Sequence, residues 1–215
     1  MKKILLPAFF AVATLAASVP ATFAQKAEKV EKAITKGTAY KVQPQLSTLG
    51  WVAKKVTGQH NGTVQFKEGT VLVQGNQVAG GTFVVDMNTI KVEDLTDANY
   101  NGKLVGHLKA DDFFGVDKHP TATFVITKVA PIKGAAAEAN NANITGNLTI
   151  KGITKPVTFP AKVGVKEGLA SASGTAVIDR TQFDIRYGSK SFFESIGDKA
   201  IDNDFTMSFN VIAKQ

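Results

Sequence analysis

The chain contains no cysteine, and only one tryptophan, three methionines and three histidines among 215 residues. Lack of cysteine excludes disulfides, thiolate metal centres, a cysteine nucleophile and a lipid-modified cysteine at a processing site. Stability must therefore come from an apolar core. Beyond the N-terminus no stretch is long and apolar enough to cross a membrane as a helix. Basic residues outnumber acidic ones by 25 to 18, but they are scattered. Without a dense Arg/Lys tract or a recognised nucleic-acid motif, nucleic-acid binding is not expected. A diffuse charge of this size serves solubility.

The one long hydrophobic run is at the start. Met1-Lys2-Lys3 supplies positive charge, Ile4 to Val19 is apolar apart from Thr14 and Ser18, and Thr22-Phe23-Ala24 ends in a small residue before Gln25. This is the form of a secretory signal peptide, 1–24. Pro7 and Pro20 argue against the rival reading, an uncleaved anchor. Cleavage near Ala24 would send the protein to the periplasm or outside the cell. Loss of Lys2 and Lys3 would lower the formal charge from +7 to +5. Residues 25–39 are charged, with Val30 and Ile34 as isolated apolar positions, and read as a mobile leader. One domain, 40–215, is expected to follow.

From Tyr40 onward, short alternating runs are separated by Gly, Asn, Asp and Lys. Strands are expected at Leu49–Val56, Thr63–Lys67, Thr70–Gln74, Gln77–Met87, Ala122–Val129, Asn143–Ile150, Thr154–Lys162, Leu169–Ile178 and Asp204–Ile212. Gly58, Asn61-Gly62, Glu68-Gly69, Gly75-Asn76, Lys151-Gly152 and Glu167-Gly168 supply hairpin chemistry between them. Alternation gives each strand an apolar face: Phe83, Val85 and Met87; Ala122, Phe124 and Ile126; Val157, Phe159, Ala161 and Val163; Phe205, Met207, Phe209 and Val211.

Two long segments lack strand patterning. Val92 to Asp117 places Leu108, Phe113 and Phe114 at near-helical spacing before the Pro120 junction, so a short helix or loop feeds a strand there. Arg180 to Asp202 carries Phe183, Tyr187, Phe192 and Phe193. Such aromatics are too apolar to lie free and are expected to cover an open end of the sheet. Eight or nine antiparallel strands with one apolar face close as a sandwich or as a barrel. At about eight strands, a barrel interior is either filled by side chains or holds one small ligand.

Three motifs in register carry a resemblance. They run from His107-Leu108-Lys109-Ala110-Asp111-Asp112-Phe113-Phe114-Gly115-Val116 through His119-Pro120-Thr121-Ala122-Thr123-Phe124, then Gly146-Asn147-Leu148-Thr149-Ile150-Lys151-Gly152-Ile153-Thr154-Lys155-Pro156-Val157, and end at Asp179-Arg180-Thr181-Gln182-Phe183. Over about Lys41 to Lys214 the chain resembles the YceI-like family of exported proteins. That resemblance implies an all-β fold: a single extended antiparallel lipocalin-like barrel of about eight strands, with one or two short helices in its connections. It implies an internal tunnel for a polyisoprenoid, a quinone or another long-chain amphiphile, with no catalytic apparatus and no cofactor. Where many members carry a first-strand histidine, this chain reads Trp51-Val52-Ala53-Lys54-Lys55-Val56, which is similar to a Lys/Trp subgroup.

The expected tunnel lining is Trp51, Phe83, Val85, Met87, Leu108, Phe113, Phe114, Phe124, Ile126, Leu148, Phe159, Phe183, Tyr187, Phe192, Phe193, Phe205, Met207 and Phe209. Since an apolar wall discriminates only weakly, head-group choice falls to polar residues near the mouth: Lys54, Lys55, His107, Asp111 and Arg180, with Tyr187 beside them. The alternative is a solid-cored envelope stress or interaction protein whose rim loops bind a partner without a lipid. A transient membrane-surface contact and a monomer or homodimer accompany the lipid-carrier reading.

Catalytic and metal readings are weaker. His107, Asp111, Asp112 and His119 have ligand chemistry, but no His-x-Glu or double-His motif supports a metal site. Ser189, Ser191 and Ser195 lack a nucleophile-elbow pattern. Asp179 and Arg180 read as an ion pair anchoring a strand end. The Asn-x-Thr triplets at Asn61, Asn143 and Asn147 read as turn and strand residues.

Overall fold

In the computed structural model, which describes residues 37–193 and 196–215, alternating apolar residues bend the sheet until its two edges meet. The expected signal peptide, most of the leader and Ser195 lie outside the described residues. Nine strands form: β1 Thr38–Val42, β2 Thr48–Lys55, β3 Gly58–Gln74, β4 Gln77–Val92, β5 Thr121–Pro131, β6 Ala142–Ile150, β7 Ile153–Lys166, β8 Leu169–Asp179 and β9 Ile201–Lys214. β2 through β9 close an eight-strand antiparallel ring, sealed where β3 pairs with β4 and β2 with β9. Closure removes the unpaired edges that invite aggregation.

β1 is not an extra stave. Both β1 and β2 lie antiparallel between β3 and β9, so together they form one stave broken at a 3₁₀ turn, Pro44–Leu46. Thr38 and Ala39, expected in the leader, pair instead with Val73 and Leu72.

Three tight turns fall where their residues predict, at Gly75-Asn76, Lys151-Gly152 and Glu167-Gly168. Lys151 and Glu167 both take positive φ, 51° and 50°, as the first residue of a type I′ hairpin requires. Asn61-Gly62 and Glu68-Gly69 are not turns; both lie inside β3. The register shifts between Phe66 and Glu68: one extra residue changes which side faces inward, from Val64 and Phe66 before the shift to Val71 and Val73 after it. A bulge of this kind carries turn-forming residues without ending a strand.

Among the described residues one α-helix, α1 (Ala98–Lys109), crosses one end of the barrel. The Asp97 side chain caps it, accepting from the Asn99 and Tyr100 amides at 2.9 and 3.0 Å. Asn101 fastens it to the end of β4 through bonds to the Val92 and Leu95 carbonyls. Leu108 is buried, with Leu104 and Val105 packed beside it. The segment after α1 folds back on the helix end, the Val116 amide reaching the Lys109 carbonyl at 2.9 Å. Together with residues 180–193 and 196–200, this segment roofs the same end. The opposite end carries the Gly75-Asn76 and Glu167-Gly168 turns and the 132–141 loop, whereas the Lys151-Gly152 turn lies under the roof, Lys151 Nζ donating to the Asp111 carbonyl at 2.9 Å.

Candidate functional site

The core divides into two apolar clusters stacked along the barrel axis. One, at the roofed end, centres on Val64, Met87, Leu108, Phe113, Ile150 and Phe183; the other holds Tyr40, Val42, Phe66, Val71, Ile144 and Val211. A belt of phenyl rings runs through the second cluster. Phe66, Phe83, Phe124, Phe159 and Phe209 follow one another around the wall with centroids 6.2, 6.4, 5.5 and 5.4 Å apart. Leu49 of β2, opposite Phe209, completes the circuit.

Three strands of the belt contribute no ring: β2 supplies Leu49, and β6 and β8 supply glycine. A Cβ at Gly146 of β6 would lie 2.4 Å from the Phe124 ring, and one at Gly174 of β8 would lie 2.9 Å from that of Phe209. Glycine at these positions lets rings from flanking strands meet over the backbone.

A cavity of about 270 Å³ runs through the belt and into both halves of the barrel. Its wall is almost wholly carbon. A cavity of ~150 Å³ with such a lining stays dry and binds small apolar guests. On β9 the lining extends from Ile201 to Val211, about 33 Å of strand and, with ordinary barrel tilt, ~25 Å of axis. Inward-facing residues such as Phe159, Phe205, Met207 and Phe209 are only half-buried, as side chains facing a void must be. The interior is therefore hollow, and the solid-cored expectation loses its premise.

The charged residues of the wall, Lys54, Lys55, Arg180 and Asp202, together with His60, stand at the roofed end. The first two lie beside the β2–β3 turn, across from Ile201 at the start of β9. His60 Nδ1 bonds the Asp94 carboxylate at 2.7 Å. Burial alone would raise the Asp94 pKa, but bonds from the Asn61 amide and His60 outweigh it and hold it below the ordinary carboxylate value. Trp51 reaches past the backbone to donate Nε1–H to the Lys91 carbonyl at 3.2 Å.

Arg180 departs from the expected ion pair. Only 3% exposed, its guanidinium donates to the backbone carbonyls of Asp202, Ile185 and Ile201 at 2.9, 2.8 and 3.0 Å. It sits 5.9 Å from the centre of the Phe113 ring. Burial draws its pKa down, opposed by the charges of Asp179 and Asp202. The Asp179 carboxylate turns away to cap a 3₁₀ turn through the Thr181 amide and hydroxyl, at 2.9 and 2.6 Å. Arg180 thus pins the roof segment to the start of β9, and it does so by the geometry of its planar fork.

Of the residues expected to line a tunnel, Trp51, Phe83, Val85, Met87, Leu108, Phe113, Phe114, Phe124, Ile126, Leu148, Phe159, Phe205, Met207 and Phe209 all border the cavity. Four do not. Phe183 is buried in the roof cluster behind the wall; Tyr187 stands edge-on to His107 at 4.4 Å; Phe192 lies under the Arg186 guanidinium at 4.8 Å; and Phe193 is half exposed. The 3₁₀ turn and the Arg180 anchor direct this segment over the rim, so Phe192 and Phe193 do not plug the opening. Lys54, Lys55 and Arg180 border the cavity, whereas His107 and Asp111 do not. His107 bonds Asp112 at 3.1 Å, and Asp111 pairs with Lys118 at 2.6 Å, which lowers the Asp111 pKa.

Lining residues beyond those expected include Phe66, Val64 and Val71 of β3, Leu49, and the small Ala172 and Ala176. Alternation points to Val64 and Phe66, but a turn read at Glu68-Gly69 breaks the register that would align them with the other rings.

Comparison with known proteins places this geometry. The YceI-like domain model matches residues 40–213. The chain belongs to the YceI-like domain family. A UPF0312 protein of Pseudomonas aeruginosa is 51% identical over 57 residues, 26% of this chain and 27% of that protein. The match thus spans about a quarter of that relative's length. Among solved structures, Burkholderia cenocepacia BcnA is similar with a TM-score of 0.61 and 26% identity, covering 80% of this chain and 99% of that one. A domain of Saccharophagus degradans described as polyisoprenoid-binding superposes with a TM-score of 0.58 at 13% identity, covering 81% and 97%, and so shares the fold.

Proposed function

We propose that this protein is a non-enzymatic carrier that encloses the apolar tail of an isoprenoid-like lipid, a quinone or another long-chain amphiphile, working in the periplasm or outside the cell after cleavage near Ala24. The observation that carries this reading is a carbon-walled cavity whose charged groups all stand at one end. Such a wall suits a molecule with a long apolar body and one polar terminus. The Saccharophagus domain's description supports a prenyl chain as the guest.

Each methylene removed from water contributes about 0.8 kcal/mol, so a ten-carbon segment supplies ~8 kcal/mol, in the range of the association cost. Longer tails move the balance well towards binding. Discrimination at the tail is weak, about 1 to 3 kcal/mol per methylene. Choice among ligands falls to Lys54, Lys55 and Arg180 at the polar end. Solvent extraction of protein purified from its native host, followed by mass spectrometry, tests the reading. One long-chain amphiphile per chain is the expected result; extracts that stay blank across preparations would overturn it.

A further inference from the structure

The four strongly exposed aromatic side chains among the described residues, Tyr100, Tyr187, Phe192 and Phe193, all lie at the roofed end. The opposite end presents none. Val56, at the tip of the β2–β3 turn, is also half exposed, and its amide bonds the Ala200 carbonyl at 3.0 Å.

Two chain segments meet at the start of β9. The Ile201 amide bonds the Gly188 carbonyl at 2.7 Å, and Ser189 and Ser191 are bonded to Asn203. Lys55 pairs with Ile201 from the other side. Val56, Phe192 and Phe193 therefore belong to the rim onto which the polar end of the cavity opens. Lys54, Lys55, Arg186, Lys190 and Lys199 share that rim. Of the acids on its described part, Asp184 is taken up by Arg186 at 2.7 Å, and Asp198 and Asp202 leave cations in excess; Glu194, next in sequence to Phe193, lies outside the described residues. Arg186 stacks over Phe192, so its charge remains at the level of the ring instead of below it.

We propose that this rim docks on the surface of an anionic phospholipid bilayer, with Phe192 and Phe193 entering the interface and the lysines facing the head groups. Aromatic side chains with basic neighbours, confined to one end of a molecule, are the composition of an interfacial contact. The placement also has a consequence for cargo. A tail leaving the bilayer at this rim passes to the carbon-walled cavity without crossing water. The surface rests on exposed side chains, and its docking is independent of whether the cavity is loaded; only its use in cargo transfer rests on the carrier reading.

The test is co-sedimentation of the processed protein with vesicles of phosphatidylcholine alone and of phosphatidylcholine with phosphatidylglycerol, using wild type and the Phe192→Ser/Phe193→Ser variant. Both substituted side chains are half exposed, so unchanged thermal melting is expected. The proposal predicts sedimentation with anionic vesicles that falls at least fivefold in the variant and weakens with added salt. Absence of wild-type sedimentation, or equal sedimentation of the variant, would overturn it. So would a concentration-dependent dimer that the double substitution abolishes, which would assign the rim to a second copy of the chain. Lipid extraction from the same samples reads cavity loading separately, so failure of docking and failure of the carrier reading are distinguishable.

Discussion

At the residue scale, two glycines decide how large a ring the barrel can hold. Gly146 faces the edge of Phe124, and a methyl group there would meet the ring at 2.4 Å and the Val125 carbonyl oxygen at 2.6 Å. The backbone oxygen cannot swing aside, so the Phe124 ring and the β5–β6 register must both give. Overpacking of this kind costs about 1 to 3 kcal/mol. Gly146→Ala is expected to lower the unfolding free energy measured in urea by that amount and to shift the near-ultraviolet signal of the aromatic belt. The contrast with Arg180 is instructive. Its neighbour Asp179 suggests an ion pair, but three carbonyls converge on the guanidinium from the strand start and the roof. Sequence adjacency reveals the charges; only the fold shows which groups they meet.

At the element scale, β8 passes the belt at Gly174, leaving Ala172 on the side of the closed end and Ala176 on the side of the mouth. Both border the cavity. This placement makes β8 a ruler. Ala176→Phe narrows the tube above the belt and is expected to abolish uptake of fluorescent fatty-acid probes of any length. Ala172→Phe narrows it below, so a short-chain probe retains its affinity while a long-chain probe loses tenfold or more. Retained affinity for both lengths in the Ala172 variant would show that tails do not pass the belt. The strands themselves are largely legible, because period-two alternation in β7, β8 and β9 survives from sequence to structure. Alternation failed at bulges, where an extra residue in β3 reverses the inward face, and at the broken first stave, whose β1 is only five residues long. The cap at Asp97 and the start of α1 lacked a strong periodic signal, since α1 carries Gly102 and Gly106 and few apolar residues.

At the scale of the whole molecule, closure turns eight one-sided strands into a tube with different ends. One end is roofed by α1 and by residues 180–193 and 196–200 and gathers the charged wall residues and the exposed aromatics; the other carries the Gly75-Asn76 and Glu167-Gly168 turns and the 132–141 loop. The lining is legible wherever aromatics sit on regular strands, and it departs from the expectation at Phe183, Tyr187, Phe192 and Phe193, which do not border the cavity. Composition marks those residues as apolar, but the direction of a segment tied down by Arg180 is a tertiary property. A polar mouth, an apolar shaft and a constricting belt are the features on which the proposed binding by length and by terminus rests. The most direct test is a crystal structure of protein purified from its native host, examined for density inside the tube. The account predicts one continuous tail threading the ring formed by Phe66, Phe83, Phe124, Phe159 and Phe209, with its polar terminus beside Lys54 and Lys55. A tube filled with ordered water, or collapsed onto itself with no guest, would contradict it.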